Sequence, residues 1–117
     1  MVFQQIVGLV DTLSEGFEYT RTLLTEDKRD EALEVLYNII AGIESVINAL
    51  NPHLEELPAN DLKGVGAHMS IEFNKLIDIF NGDEVVLIEN HLESTLIPAF
   101  LVWKSEIEKV LMPFILS

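Results

Sequence analysis

Ala32-Leu33-Glu34-Val35-Leu36-Tyr37-Asn38-Ile39-Ile40-Ala41-Gly42-Ile43-Glu44-Ser45-Val46-Ile47-Asn48-Ala49-Leu50 is the stretch that decides the fold. At about 100° per residue, Ala32, Leu33, Val35, Leu36, Ile39, Ile40, Ile43, Val46, Ile47 and Leu50 share one wide arc. Glu34, Asn38, Glu44, Ser45 and Asn48 take the other side. This is helical periodicity, and so wide an apolar arc implies two neighbouring helices rather than one. Thr25-Glu26-Asp27 before it reads as a cap with early negative charge. Asn51-Pro52 after it ends the helix, because the residue before proline resists the α region.

The same period extends in both directions. Upstream, Phe3, Ile6, Leu9, Val10, Leu13, Phe17 and Leu24 line one face of a helix over about residues 3–24. Downstream, residues 53–60 form the longest connector, and Asn60 or Asp61 caps a third helix. Its core face is Leu62, Val65, Met69, Phe73, Leu76, Ile77 and Phe80, with Gly64 and Gly66 in its first turns. Those glycines imply either a close helix approach or a loose first turn. Asn81-Gly82 suits a left-handed helix stop and Asp83 the next N-cap. A fourth helix then runs from about residue 84 to 111 with Val85, Ile88, Leu92, Leu96, Ala99, Trp103, Ile107 and Val110 on one face. Pro98 deprives the Ser94 carbonyl of its partner and predicts a kink, and Pro113 predicts the helix end.

Four amphipathic helices with short connectors predict an all-α, antiparallel, up-down-up-down four-helix bundle, formed by one domain over residues 1–117. The alternative is a four-helix fold that exchanges its first or last helix between subunits. The 117 residues, 49% of them hydrophobic, suffice for a core without disulfides or metals.

Composition removes several function classes. Twenty acidic residues against seven basic ones give a formal charge of −13, which argues against binding nucleic acid or anionic lipid. The absence of cysteine excludes disulfides and thiol chemistry. The longest uninterrupted apolar run, residues 96–103, is far short of the roughly 20 residues of a membrane span. Met1-Val2-Phe3-Gln4-Gln5-Ile6 lacks the positive start of a signal peptide. A cytoplasmic location is expected.

Candidates for chemistry are sparse. No Glu-x-x-His pair precedes His53, His68 or His91, so no di-iron bundle is expected. His68 and Glu72, four apart, offer one half of a metal site or an exposed pair on the helix surface. His53 and His91 read as solvated surface histidines, and Glu55-Glu56 as solvated charge. Gly64-Val65-Gly66-Ala67 follows no strand and lacks the Lys-Ser/Thr tail of a phosphate loop. No catalytic residue, metal or cofactor is assigned.

The acidic faces read as a solubilising surface or as one that attracts a basic partner. Apolar residues off the core arcs carry more information. Ile71, Leu87, Ile97, Leu101 and Met112 point away from the cores, and Phe114-Ile115-Leu116 follows as an apolar end. Ile97, Leu101, Met112, Phe114, Ile115 and Leu116 are therefore the candidate partner-binding residues. A competing reading is that the Pro98 kink rephases the helix and buries them within the monomer.

Over roughly residues 11–109 the layout resembles the flagellin export chaperones. The points of likeness are Asp30-Glu31-Ala32 opening the second helix, the Ile39…Ile43…Leu50 stripe, Asn81-Gly82-Asp83 between helices three and four, and Trp103 after Leu92 and Leu96. The resemblance implies a small bundle that holds an aggregation-prone partner before secretion. The expected function is a non-enzymatic interaction module, chaperone- or adaptor-like, that binds a helical or basic segment. The alternatives are a structural homo-oligomer, such as a homodimer, and a small-ligand or catalytic bundle.

Overall fold

The computed structural model describes residues 2–82 and 85–116, with the side chains of all of these except 2, 85, 86 and 116. The chain forms α1 (Val2–Thr25), α2 (Arg29–Leu50), a 3-10 turn (Asn51–His53) and α3 (Leu62–Asn81). It then forms α4 (Val85–His91), a π-helical turn (Leu92–Leu96) and α5 (Ile97–Leu116), which together make one fourth arm. No strand occurs among the described residues. The result is the all-α four-helix bundle, 46 Å long and 22 by 20 Å across. Asp83, expected to cap the fourth helix, and the side chain of Val85, expected in its core face, lie outside the described residues.

The helices are not equally engaged. α1 packs most closely on α2 and also touches α5, whereas α3 rests on the fourth arm and barely meets α2. The α1–α2 seam is interlocked through two glycines. A β-carbon on Gly42 would lie 2.6 Å from Leu13 Cδ2, and one on Gly16 would lie 3.1 Å from Ile39 Cδ1. Each glycine is thus a hole for an aliphatic knob on the opposite helix. Along α2 the stripe Ala32, Leu36, Ile39, Ile43, Val46 and Leu50 is buried, while Leu33, Val35, Ile40 and Ile47 flank it half-buried. Arg29–His53 is long and apolar enough by composition to cross a membrane, but Glu34 and Glu44 lie exposed along its outer side.

Aromatic rings join the two halves. Phe17 of α1 lies 4.7 Å, centroid to centroid, from Phe100 of α5 and 6.0 Å from Phe73 of α3, and Phe100 lies 5.8 Å from Trp103. Phe100 and Leu111 are buried although neither falls on the core face that a continuous α-helix predicts. The π-turn explains this. Ile88, Leu92, Leu96 and Phe100 are spaced by four, and four residues overshoot an α-helical turn by about 40°. A wider turn absorbs the excess and keeps all four inward. Pro98, one turn on, is accommodated by this widening without a break in the arm. The Ile97 N–H bonds back to Leu92 O, five residues earlier.

Three boundaries differ from expectation. Thr25-Glu26-Asp27 closes α1 instead of capping α2. Asp27 is left-handed at φ 61°, its N–H bonds to Leu24 O at 3.1 Å, and the Lys28 N–H bonds to Leu23 O at 2.8 Å. This is a Schellman stop with aspartate in the position usually held by glycine. Gly82, in contrast, has φ −89°, so it is not itself the left-handed stop expected of Asn81-Gly82. Pro113 does not end α5, which continues to Leu116. Its missing N–H removes one bond near the terminus, where few turns remain to be disrupted, and Phe114 is held by an edge contact with Phe3 at 5.5 Å.

The start of α3 is held from a distance. Asp61 is the N-cap residue but its side chain makes no capping bond; Asn60 Oδ1, one residue earlier, accepts the Leu62 N–H at 3.1 Å, and Glu106 Oε2 on α5 accepts the Asp61 N–H at 2.8 Å. The backbone hydrogen bond from Asp61, followed by the bond from Lys109, holds the Glu106 carboxyl below its ordinary range.

Three variants test the packing and the cap. Gly42→Val is expected to destabilise the bundle by about 1–3 kcal/mol in urea unfolding, because the added branches collide with buried Leu13. Gly8→Ala, with nothing within 4 Å of its new carbon, is expected to stabilise it by about 1 kcal/mol. A lowered folded-state pKa stabilises above the ordinary carboxylate pKa, and that contribution disappears as pH falls through the lowered value. Glu106→Gln should therefore cost about 1 kcal/mol at pH 7, and the gap from wild type should close as acid protonates Glu106. A gap that persists unchanged at pH 2 would remove the carboxylate from this role.

Candidate functional site

The outward arc of α5 carries little charge. At helical spacing Pro98, Leu101, Val102, Ser105, Lys109, Met112 and Pro113 share it, and the lone cation is paired, Lys109 Nζ lying 2.9 Å from Glu106 Oε1. Leu101 is 49% exposed and Val102 55%. α5 is apolar almost all round, a pattern usual for helices buried on every side. Here one side faces outward.

The six residues expected to form one partner surface separate into groups. Leu101 and Met112 lie on the outward arc, with Met112 half-buried. Ile97 and Ile115 are half-buried and pack against the core, so for these two the monomer-burial reading holds. Phe114 is 39% exposed but spends one edge on Phe3. The Leu116 side chain lies outside the described residues. Val102 belongs to the surface and was not anticipated; its spacing of four from Pro98 was the available signal. Ile71 and Leu87 are exposed on α3 and α4, as expected.

Pro98 and Val102 also form one wall of an open groove of about 530 Å³ between α3 and the fourth arm. Val65 and His68 form the opposite wall, Ser94 and Thr95 of the π-turn contribute polar edges, and Asp61 lies at its rim. The outward arc and this groove together make an apolar shelf with acidic and hydroxyl groups around it.

A second cavity, about 330 Å³, opens between α2 and α3, where the two helices barely touch. Buried Leu50, Leu62, Gly66 and Trp103 form its floor. Ile47 and Leu54 stand at its sides, and exposed Asn51, Lys63 and Ser70 at its mouth. The close helix approach that Gly66 suggested does not occur. A β-carbon there would make ordinary contacts, 3.8 Å to Trp103 Nε1 and 3.9 Å to Ile47 Cδ1. Gly66 leaves space open.

The histidines fall differently from their expected places. His68 is exposed in the α3–fourth-arm groove and makes no contact with Glu72. Glu72 is instead buried, 5% exposed, with Lys75 Nζ 3.3 Å from Oε1 and His91 Nε2 3.5 Å from Oε2. His91 is not solvated, since its Nε2 also lies 2.9 Å from the Glu72 carbonyl oxygen. His53 is half-buried, edge-on to Phe3 at 5.8 Å and 3.2 Å from Glu56 Oε2. Among the described residues, no group of three His, Asp or Glu is placed to hold a metal.

Most cations are occupied in cross-links. Arg21 joins Glu18 to Glu93 of the π-turn, and these carboxylates, Glu18 foremost, raise its pKa. Lys104 bonds Glu108 and lies 3.3 Å from Asp11 of α1; the bond to Glu108 leads in raising its pKa. Lys28 pairs with Glu26, and Arg29 donates to Phe80 O while its guanidinium sits 5.8 Å from the Phe80 ring centroid.

Residues 1–106 match the family described as Domain of unknown function (DUF8042). No curated protein and no solved structure matches the chain.

Proposed function

The chain belongs to the DUF8042 family, and we propose that it is a non-enzymatic protein-interaction module, chaperone- or adaptor-like, that holds a basic helical segment of a partner against α5. The observation that carries this reading is the outward arc of α5, where Leu101, Val102 and Met112 stand with a single, internally paired charge. The groove bounded by Val65, His68, Pro98 and Val102 continues that surface and suits the apolar face of a helix. Exposed Asp61 at its rim complements a basic flank, and the chain's charge of −13 speeds encounter with a basic partner. An unfolded client held before export, as the resemblance to flagellin export chaperones implies, would use the same shelf.

A second reading is favoured by the same arc. A patch with so little charge is self-complementary, so two copies pairing through α5 would make a structural homodimer by an isologous contact.

Light scattering over a range of concentrations, together with titration of a synthetic basic amphipathic helical peptide, separates these readings. Each large apolar side chain is worth about 1.5–3 kcal/mol when fully buried. The double change Leu101→Gln with Val102→Gln, which removes apolar contact without adding charge, should therefore weaken peptide binding at least about tenfold and leave helicity intact. Binding should also weaken with added salt. A dimer that the double change dissociates, with no peptide binding by the wild type, selects the homodimer. A wild-type monomer that ignores the peptide would sink both.

A further inference from the structure

The cavity between α2 and α3 lies on the other side of α5 from the outward arc, and three observations make it a site in its own right. First, its floor is apolar and built, with Leu50, Leu62 and Trp103 all buried beneath an opening to solvent. Second, Gly66 keeps it open. Glycine inside a helix costs about 1 kcal/mol relative to alanine, yet no neighbour requires a glycine here, because an added carbon would meet nothing closer than 3.8 Å. Third, Lys63 stands at the mouth and has no ion pair among the described residues, although the chain has 20 carboxylates. The other six basic side chains are engaged. Lys63 also borders a shallow recess with Asn51 and Glu55, and Glu55 makes no ion pair with it.

We propose that this cavity binds a small amphipathic carboxylate, with its apolar body over Trp103 and Gly66 and its carboxylate at Lys63. A closed apolar cavity of about 150 Å³ takes a benzene ring, so 330 Å³ suits a medium-chain or bicyclic molecule. The size lies at the small end of known ligand sites, about 300–1,000 Å³. An uncompensated ammonium at the edge of an apolar pocket selects an anionic head over a neutral one. The overall charge of −13 opposes anions at a distance, but screening confines that effect to about 8 Å at physiological salt. Lys63 stands at the mouth itself, within that distance of a bound head group.

The chain has one tryptophan, and it forms part of the floor, so its emission reports occupancy directly. Octanoate should change Trp103 fluorescence saturably, and 1-octanol should bind at least about tenfold more weakly. Lys63→Glu, an exposed change that leaves the fold intact, should reduce octanoate affinity to the level of octanol and leave octanol unaffected. Gly66→Leu should abolish both by filling the floor; Gly66→Ala, which fits at ordinary contact distances, should weaken both. No saturable response from the wild-type protein would overturn the proposal. So would equal affinity for octanol and octanoate, or octanoate affinity unchanged by Lys63→Glu or by Gly66→Ala. None of these results depends on the α5 surface, whose loss by Leu101→Glu should leave octanoate binding unchanged.

Discussion

The interlock of α1 with α2 fixes the rest of the bundle. Leu13 enters the space at Gly42 and Ile39 the space at Gly16, so these two helices approach more closely than side chains on both would allow. α2 is thereby committed to α1. α3 finds its support on the fourth arm, and the two pairs meet where Phe17 touches Phe100 and Phe73. A bundle made of two tight pairs has one loose seam. Here it is the α2–α3 seam, and the cavity over Trp103 is its geometric result. The wide apolar arc of α2 therefore has one firm neighbour and one distant one, which explains why its flanks are only half-buried.

The π-turn has a comparable effect on the fourth arm. An uninterrupted α-helix would carry Ile88, Leu92, Leu96 and Phe100 progressively out of the core. The wider turn holds them in line and resets the face presented by α5. That reset buries Phe100 and Leu111 and leaves Leu101 and Val102 outside. The surface assigned to partner binding is thus a product of helix phase, and the phase is set beside Pro98. Arg21, reaching from α1 to Glu93, ties the same turn to the rest of the bundle.

The core stripes were legible because they depend on short-range periodicity. Ile6, Val10, Leu13 and Phe17 on α1, and Leu36, Ile39 and Ile43 on α2, lie where a wheel puts them. What escaped that reading depends on longer-range or less regular features. The burial of Phe100 required a phase shift that a constant 100° step cannot represent. The role of Thr25-Glu26-Asp27 turned on one left-handed residue, and polar residues there suit a helix stop as well as a start. His91 reads as solvated in the sequence because its partner Glu72 is nineteen residues away on another helix. Of the candidate site, Leu101 and Met112 could be read from the sequence, and Val102 could have been. The α2–α3 cavity could not, since it is defined by a contact that two helices fail to make.

The turn at Asp27 has a consequence for how the chain reaches this state. It joins two antiparallel helices through a short turn, so the α1–α2 hairpin can zip outward from that turn to contacts such as Leu13 with Gly42. Both of its helices precede α3 in the chain. The later partners must cross greater sequence distances, and α5 has to return to α1 from about eighty residues away before Phe100 can meet Phe17. Contact order therefore divides the molecule into an early local half and a late non-local half. Until the second half docks, the aromatic face of α1 remains wet, and the nascent hairpin is itself a sticky, half-finished surface.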